Sequence, residues 1–239
     1  MDLLSVAEIM LSTSQKRLET VSRNISNTET SGHKRLVSFE NILETARSGS
    51  ITSPLAAQAF ATDVVMAQGA LSLTDRPLDL AISGSGFFKM MDGGQIQLSR
   101  NGAFQLDGDG HLIDVQGRYL LDEHDTPIRL PHAAVSIESD GTIIDDGIAL
   151  ARIGLVDVTD GAVLSPLGGA SFQADPADLL PVERAQVLQG MLEGSNVDLA
   201  PEMLSMMTAL RQGEMGARMV QVYDQLMGQV FTTFGSSRR

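Results

Sequence analysis

The sequence contains no cysteine and no tryptophan, and aromatic residues make up only 4% of its 239 residues. The absence of cysteine excludes disulfides, thiolate zinc sites and cysteine nucleophiles. The scarcity of aromatic rings argues against a stacking platform for single-stranded nucleic acid. No uncharged apolar run reaches the length of a membrane-spanning helix. The apolar content of 43% is nevertheless sufficient for a folded core of one or two domains.

Basic residues are also scarce, because 17 lysines and arginines face 30 acidic residues, and the formal net charge is −13. This balance argues against a nucleic-acid partner. The acidity lies in residues 51–190, which carry seven basic and nineteen acidic side chains, whereas the two ends are nearly neutral. The first residues lack the basic region and cleavage site of a Sec-type signal peptide, so we expect none.

Both ends of the chain show the hydrophobic spacing of long helices. Near the N-terminus, apolar residues recur at alternating intervals of three and four from Leu4 to Ile25, and a similar series runs from Met203 to Phe231. Asn196 or Asp198 is positioned to cap the second helix, and Pro201 suits its first turn. We predict an assembly seam at these apolar positions: Leu4, Leu11, Leu18, Val21, Ile25, Met203, Met206, Leu210, Ala217, Val220, Met227 and Phe231.

The middle of the chain is typical of antiparallel β-structure. From Pro77 onward, apolar and polar residues alternate, and glycine-rich turns recur every seven to ten residues. Turns are predicted at Asp92-Gly93-Gly94 and at Asp146-Gly147, and Asn101-Gly102 is a strong two-residue hairpin signal. Residues 28–76 show little periodicity, which favours an extended functional arm.

The sequence therefore predicts an α+β fold. Its long N- and C-terminal helices are expected to pair as a coiled coil, with an extended connecting arm and one antiparallel all-β domain inserted between them. On periodicity alone, an ordinary helical hairpin that closes a globular domain stays open. The predicted domains are a terminal-helix coiled-coil domain (1–28 and 196–239), a linker or arm region (29–76 and 176–195) and a β domain (77–175).

A search for catalytic or ligand-binding patterns returns no candidate. The four histidines lack metal-ligand spacing, and Ser85 lies in a turn rather than in a nucleophile elbow. The segment Asp107-x-Asp109-Gly110 resembles the start of a calcium loop, but Leu112 stands where an EF-hand requires glycine. We therefore predict no catalytic residue, no cofactor and no metal site, and expect that the protein is not an enzyme.

Two other classes of function stay open on the residues alone. One is a secreted calcium-binding or adhesive β module, which a calcium-dependent rise in melting temperature would favour. The other is a hydrolase that uses Ser85 or a pair of aspartates, which loss of activity in Ser85→Ala would favour.

Three segments resemble the bacterial flagellar rod and hook protein family. Residues 24–34 (NISNTETSGHK) resemble the family signature N-[IL]-[AS]-N-x-x-T-x-G-[FY]-K, residues 76–104 resemble RPLDLAIxGxGFF…TRNGxF, and residues 189–197 resemble QGxLExSNV. The positions that match the family are Asn24, Asn27, Thr30, Gly32, Lys34, Arg76, Pro77, Leu78, Asp79, Gly84, Gly86, Phe87, Arg100, Asn101, Gly102, Gly190, Glu193, Ser195, Asn196 and Arg211.

The sequence departs from the family at two places. His33 stands where the family usually has an aromatic residue, so an apolar anchor of the arm is lost. Arg211 matches a common arginine of the C-terminal helix, but Gln212-Gly213-Glu214 is unlike the usual aromatic neighbourhood.

The resemblance implies a structural subunit of the flagellar rod, the drive shaft of the basal body. The length of 239 residues and the single β domain favour a rod component over the longer hook protein, and the nearest resemblance is to the proximal-rod member, ahead of the distal-rod one. The family pairs its terminal helices as an inner coiled coil and assembles helically, through contacts whose rotation does not close. The implied partners are copies of this chain, other rod proteins and the flagellar type III export apparatus, with neither nucleic acid, a small-molecule substrate nor membrane embedding. The implied location is the periplasmic part of the basal body.

Overall fold

The computed structural model describes residues 3–41, 59–159, 161–182 and 185–236. Two α-helices, α1 (Leu3–Ser26) and α2 (Leu199–Ser236), lie near the ends of the chain. The strands of the described ranges are β1 (Leu36–Asn41), β2 (Ala59–Val64), β3 (Leu71–Leu73), β4 (Leu80–Ser83), β5 (Phe87–Asp92), β6 (Gln95–Ser99), β7 (Phe104–Leu106), β8 (Leu112–Asp114), β9 (Tyr119–Leu120), β10 (Ser136–Ile137), β11 (Thr142–Asp145), β12 (Ile148–Arg152), β13 (Leu155–Val158), β14 (Ser165–Gly168), β15 (Ser171–Gln173), β16 (Leu179–Pro181), β17 (Gln186–Gln189) and β18 (Met191–Glu193).

The chain divides into two compact units. The helical unit comprises the described parts of residues 1–26, 36–63 and 198–239, and it holds α1, α2 and the pair formed by β1 and β2. The β unit comprises the described parts of residues 27–35 and 64–197.

In the helical unit, α1 and α2 run antiparallel. Asn24 near the end of α1 donates a hydrogen bond to Glu202 near the start of α2, whereas the carbonyl of Ala7 lies beside Gly216. Asp198 caps α2, because its side chain accepts the amide of Ala200 at 3.1 Å. Pro201 occupies the first turn, where a missing amide hydrogen leaves no bond unmade.

The predicted fold class was wrong. The protein is mostly β-structure, and its two helices pack without forming a long coiled coil. Leu4, Leu11, Met203 and Leu210, which should have been interlocking knobs, are 43%, 37%, 48% and 51% exposed. Knobs-into-holes packing requires such residues to insert between the helices, so the described parts of α1 and α2 do not form the predicted coiled coil.

Small residues make the helix–helix contact instead. Ser14 donates a hydrogen bond from Oγ to the carbonyl of Ala209 at 2.8 Å, and a Cβ atom on Gly213 would lie 2.7 Å from that same Oγ. Among the residues of α2 whose burial is described, Glu202, Ala209 and Gly216 are buried. Each lies one position before a predicted seam residue (203, 210 and 217), so the face towards α1 is shifted by one residue from the prediction. Spacing alone could not distinguish the series 202, 209, 216 from the series 203, 210, 217, because both repeat every seven residues.

The β unit consists of antiparallel sheets. The largest has nine strands, in which β14-β15-β6-β5-β9-β8-β7 follow one another while β13 pairs with β5 and with β16. A second sheet is β10-β11-β12, and two further pairs join β17 to β4 and β18 to β3. The last two pairs bring residues 186–193 beside residues 71–83, so distant parts of the sequence meet here.

Large apolar side chains fill the core of the β unit. Phe88 and Phe104 are 0% and 1% exposed, and their rings meet edge to face with centroids 5.3 Å apart. The surrounding core residues include Leu80, Ile82, Met90, Leu112, Leu120 and Ile143. Burial of side chains of this size contributes about 1.5–3 kcal/mol each.

Of the three predicted glycine-containing turns, the structure confirms two and contradicts one. Gly93-Gly94 connects β5 to β6, with Asp92 paired to Gln95, and Asp146-Gly147 connects β11 to β12; these two predictions are confirmed. The hairpin prediction at Asn101-Gly102 was wrong, because β6 pairs with β5 and β15 whereas β7 pairs with β8. Gly102 instead allows close backbone approach, since a Cβ atom there would lie 1.7 Å from the carbonyl oxygen of Leu80.

Candidate assembly site

Three charged side chains from the three family-like segments meet in the interior of the β unit. Glu193 at the end of β18 accepts hydrogen bonds from Lys34 Nζ at 2.5 Å and from Arg100 Nη1 at 3.1 Å. Their side chains are 0%, 0% and 2% exposed, respectively. Lys34 lies 159 positions from Glu193 in the sequence. We refer to Lys34, Arg100 and Glu193 as the Glu193 cluster.

Neighbouring polar groups stabilise the Glu193 cluster further. Lys34 Nζ also donates to the carbonyl of Ala67 at 2.9 Å, and the amide of Gly69 donates to Glu193 Oε1 at 2.9 Å. Burial lowers the pKa of Lys34, and the adjacent Glu193 carboxylate opposes that shift. The same two causes act on the lowered pKa of Arg100, whose Nε atom is buried without a hydrogen-bond partner. Two cations therefore hydrogen-bond the same carboxylate, and Asp157 adds a weaker attraction that also opposes the lowered pKa of Arg100.

Arg100 has further contacts within the β unit. Its Nη2 donates to the carbonyl of Gly84 at 2.7 Å, and its guanidinium lies 5.5 Å from the ring centroid of Phe87. Gly32 is needed beside it, because its φ is +71° and a Cβ atom would lie 2.2 Å from the carbonyl carbon of Arg100. The amide of Gly32 donates to the carbonyl of Glu193 at 2.7 Å. The family-like segments thus interlock through backbone as well as side chains.

Asn196 joins three backbone segments. Its Oδ1 accepts the amide of Arg35 at 2.6 Å, and its Nδ2 donates to the carbonyls of Val65 and Ala67 at 2.8 and 2.7 Å. Ser195 Oγ accepts the amide of Val197 at 3.2 Å. These bonds orient the chain immediately before α2.

Asn24 has the equivalent role in the helical unit. Its side chain exchanges two hydrogen bonds with the backbone of Leu36, from Nδ2 to the carbonyl at 2.8 Å and from the amide to Oδ1 at 2.9 Å. It also donates to Glu202 at 3.1 Å, and both side chains are buried. One amide side chain therefore connects the end of α1, the start of β1 and the first turn of α2.

The remaining family-like positions lie in turns, in the core or at the surface. Asn27 accepts from Thr30, Gly190 donates to the carbonyl of Asp79, and the carbonyl of Pro77 accepts from Gln189. Asp79 is buried, and its Oδ1 has no hydrogen-bond partner but forms a 3.8 Å ion pair with Nε of the exposed Arg76. Leu78 and Phe87 are buried, Gly84 and Gly86 have positive φ, and Arg211 is exposed.

The predicted seam residues are mostly at the surface of the helical unit. Leu4, Leu11, Met203, Leu210, Ala217 and Met227 are exposed; Leu18, Ile25, Met206 and Val220 are partly buried; Val21 is buried. The side chain of Phe231 lies outside the described residues. Further exposed apolar side chains on α2 include Leu204, Met207, Met215, Val222 and Leu226.

Two kinds of structural residue were not predicted. The small-residue face formed by Ala209, Gly213 and Gly216 could have been found, because small residues recur there at intervals of three and four. His33 Nδ1 lies 2.7 Å from the carbonyl oxygen of Gly169, in a hydrogen bond for which the sequence carries no signal.

Asp107, Asp109 and His111 are the one group of acidic and histidine side chains in the described ranges that lie close enough to hold a metal ion. A tight turn accounts for their closeness. Asp107 Oδ1 accepts the amides of Asp109 and His111 at 2.9 and 2.7 Å, which lowers the pKa of this carboxyl group. Ser85 Oγ donates to Asp157 at the surface. Within the described residues, no helix has the length and apolar character of a membrane span.

Two family models match the chain. Residues 81–145 match the flagellar hook protein FlgE/F/G D1 domain, and residues 188–232 match the flagellar basal body rod FlgEFG protein C-terminal region. Of the Glu193 cluster, Arg100 lies within the first matched region and Glu193 within the second.

Curated relatives match nearly the whole chain. The flagellar basal-body rod protein FlgG of Agrobacterium fabrum is 30% identical, with 93% of this chain and 95% of the relative covered. FlgF of Caulobacter vibrioides is 30% identical over 87% of each chain, and FlgF of Rhizobium meliloti is 28% identical over 94% of each. The chain therefore belongs to the flagellar basal-body rod protein family, in its FlgF/FlgG-like branch, and is a structural subunit of the rod.

Proposed function

We propose that this subunit joins the rod by packing the exposed apolar side chains of α1 and α2 against neighbouring rod subunits. The observation that supports this most directly is the surface of α2. Leu204, Met207 and Leu210 are 67%, 54% and 51% exposed, whereas the face towards α1 carries small residues. Exposed apolar surface of this extent marks sites of protein association.

The length of α2 supports the same proposal. Ala7 of α1 lies beside Gly216, so the last turns of α2 extend beyond the start of α1. Every side chain from Asp224 to Gln229 is exposed. Methionines at such a surface adapt readily to different partners, which suits a helix that contacts several subunits. Contacts of this kind that do not close on themselves build a helical assembly.

Leu204→Asp and Leu210→Asp test this proposal, with Val163→Asp as the matched control. Val163 is 75% exposed in the β unit. We expect the two α2 variants to lose complete basal bodies, counted by electron microscopy of the host cells, while urea unfolding of the isolated chain shifts by less than about 0.5 kcal/mol. Normal assembly of both α2 variants would contradict the proposal.

We propose an FlgF-like, proximal-rod identity for the chain. The matches to FlgG of Agrobacterium fabrum and Bacillus subtilis extend over 259 and 250 residues, more than the 239 of this chain, and so require internal insertions in FlgG. The matches to FlgF of Rhizobium meliloti and Caulobacter vibrioides extend over 229 and 218 residues. Rescue of an FlgF-deficient host but not of an FlgG-deficient host is the expected result.

The family also supports a location in the flagellar basal body and assembly with other rod proteins. Export through the flagellar type III apparatus and a position in the periplasmic part of the basal body stay predictions. Accumulation of the chain inside cells that lack a functional export apparatus would support them, and its normal export from such cells would contradict them.

A further inference from the structure

Six aspartates of this chain are followed directly by glycine, at positions 92, 107, 109, 140, 146 and 160. Such pairs can rearrange, because the glycine nitrogen, with no side chain to hinder it, can attack the side-chain carbonyl carbon of the preceding residue. In a folded protein the two groups must be free to meet, and hydrogen bonds on either of them oppose the attack. Asp160 lies outside the described residues.

At four of the described Asp-Gly pairs, a hydrogen bond holds the carboxylate or the glycine amide. Asp92 Oδ2 accepts from Gln97 at 3.2 Å, and Asp107 Oδ1 accepts two backbone amides at 2.9 and 2.7 Å. The amide of Gly110, which follows Asp109, donates to the carbonyl of Asp107 at 3.2 Å. In each of these pairs, at least one reacting group is therefore engaged elsewhere.

Asp140 and the glycine that follows it are held most firmly. The two carboxylate oxygens of Asp140 accept from the amide and the hydroxyl of Thr142, both at 2.9 Å. The amide of Gly141 donates to the carbonyl of Glu138, also at 2.9 Å. The bonds from Thr142 lower the pKa of Asp140, which keeps this carboxyl group ionised and a poor target for a nucleophile. Both reacting groups of this pair are therefore engaged.

Asp146 differs from the other described aspartates of this kind. With Gly147 it forms the two-residue turn between β11 and β12, where the φ angles are +46° and +82° and Asp145 pairs with Ile148. Both turn residues are exposed, and apart from its chain neighbours no atom lies within 4 Å of a Cβ atom built on Gly147. Within the described part of the chain, no hydrogen bond holds the Asp146 carboxylate or the Gly147 amide. Both reacting groups are therefore free to move.

We propose that Asp146-Gly147 is a site of spontaneous isoaspartate formation in the folded chain. The Gly147 nitrogen bonds to Cγ of Asp146 while the C–O bond to the hydroxyl of the protonated carboxyl breaks, and the hydroxyl leaves with the amide proton as water. One water then opens the resulting succinimide. Cleavage of the C–N bond at the original backbone carbonyl gives isoaspartate, whose chain runs through Cγ. The reaction needs only water and no partner subunit, so it is independent of the proposed assembly role.

Asn101-Gly102 provides a contrast within the same chain. In unfolded peptides an Asn-Gly pair reacts faster than an Asp-Gly pair, because an ionised carboxylate is a poor target for a nucleophile. In the folded chain, Asn101 is only 8% exposed, and its Oδ1 accepts the amide of Ala103 at 3.1 Å. Gly102 is packed against the backbone of Leu80. The fold should therefore reverse the order of the two sites.

Peptide mapping of the purified full chain, aged at neutral pH, measures isoaspartate at each position by mass spectrometry with electron-based fragmentation. In the folded chain we expect at least about tenfold more isoaspartate at position 146 than at position 140 or 101. In a sample aged in guanidinium chloride, position 101 should react first. Equal amounts at positions 146 and 140 in the folded chain would overturn the proposal, and so would the same order of sites in folded and unfolded samples.

Asp146→Asn tests whether the turn itself reaches the geometry of attack. Asn-Gly suits a turn with two positive φ angles, so the hairpin is kept while the carboxylate becomes a more reactive amide that releases ammonia. We expect isoaspartate at position 146 to form at least about tenfold faster than in the unchanged chain. Asp140→Asn is the matched control and should stay slow, because the amide of Gly141 is bonded to Glu138. No acceleration in Asp146→Asn, or equal acceleration in both variants, would overturn the proposal.

Discussion

The two units of this protein differ in how far their large side chains are buried. In the β unit, Phe88, Met90 and Phe104 are at most 1% exposed, and even Lys34 and Glu193 are fully buried. In the helical unit, Leu204 and Met207 are more than half exposed, and small residues make the contact between helices. The β unit therefore buries many of its large side chains, whereas the helical unit exposes much of its apolar surface.

The two units also differ in the burial of their ion pairs. The Glu193 cluster is buried, so removal of the Glu193 carboxylate leaves two cations without their hydrogen-bonded counterion and with little access to solvent. The ion pair of Arg23 with Glu19 on α1 has a 2.6 Å separation, but both side chains are more than half exposed. An exposed pair of this kind contributes little to stability.

The largest expected effect comes from Glu193→Gln. This substitution keeps the size of the side chain but leaves Lys34 and Arg100 buried without a counterion, and we expect a loss of about 3–5 kcal/mol in unfolding free energy. Urea unfolding of the full chain measures it. Glu19→Gln on α1 is the control and should cost less than about 1 kcal/mol. Similar losses in the two variants would remove the contrast between the units.

Gly102→Ala should cause the second-largest loss of stability. The added methyl group would lie 1.7 Å from the carbonyl oxygen of Leu80, so the backbone between β6 and β7 must move. We expect a loss of about 1–3 kcal/mol in unfolding free energy. Gly108→Ala is the control, because nothing lies within 4 Å of the added atom. A Gly102→Ala variant as stable as the control would show that this close approach is not needed.

Replacement of His33 should have a smaller effect, which is a change in how the unfolding free energy depends on pH. Burial lowers the pKa of His33 below its ordinary value of 6.5, against the opposing hydrogen bond to Gly169. Below pH 6.5 the unfolded chain therefore binds a proton that the folded chain resists, and the unfolding free energy falls as the pH falls. The contribution of His33 to stability is fully present above pH 6.5.

His33→Phe, which restores the aromatic residue usual in the family, should remove this part of the acid sensitivity. His124→Gln is the control, since the side chain of His124 is 77% exposed. Chemical unfolding between pH 5 and pH 8 measures both variants against the unchanged chain. An unchanged slope in His33→Phe would contradict the assigned cause.

The sequence predicted features that depend on neighbouring residues and failed where distant residues decide. The Asp92-Gly93-Gly94 turn follows from local φ preferences, and it connects β5 to β6 as expected. Asn101-Gly102 has equally strong local preferences, but the approach of Leu80 determines its conformation. Local chemistry does not reveal which distant backbone will pass close by.

The packing of the helices and the Glu193 cluster also depend on distant residues, which the local sequence does not reveal. Periodicity predicted two terminal helices, but the choice of face depended on the close approach of Ser14 to Gly213, where large knobs do not fit. The family resemblance singled out Lys34, Arg100 and Glu193 individually. Their convergence joins Glu193 to residues 93 and 159 positions away, and no local pattern reveals contacts over such separations.

Hydrogen exchange on the purified, unassembled chain tests the central claim most directly. We expect strong protection of the amides in β5, β6 and β9, and fast exchange in α2 from Asp224 to Gly228, where the described residues are exposed. Strong protection of α2 equal to that of β5 would mean that the helical unit is self-sufficient. That result would contradict the claim that its exposed apolar surface is reserved for neighbouring subunits.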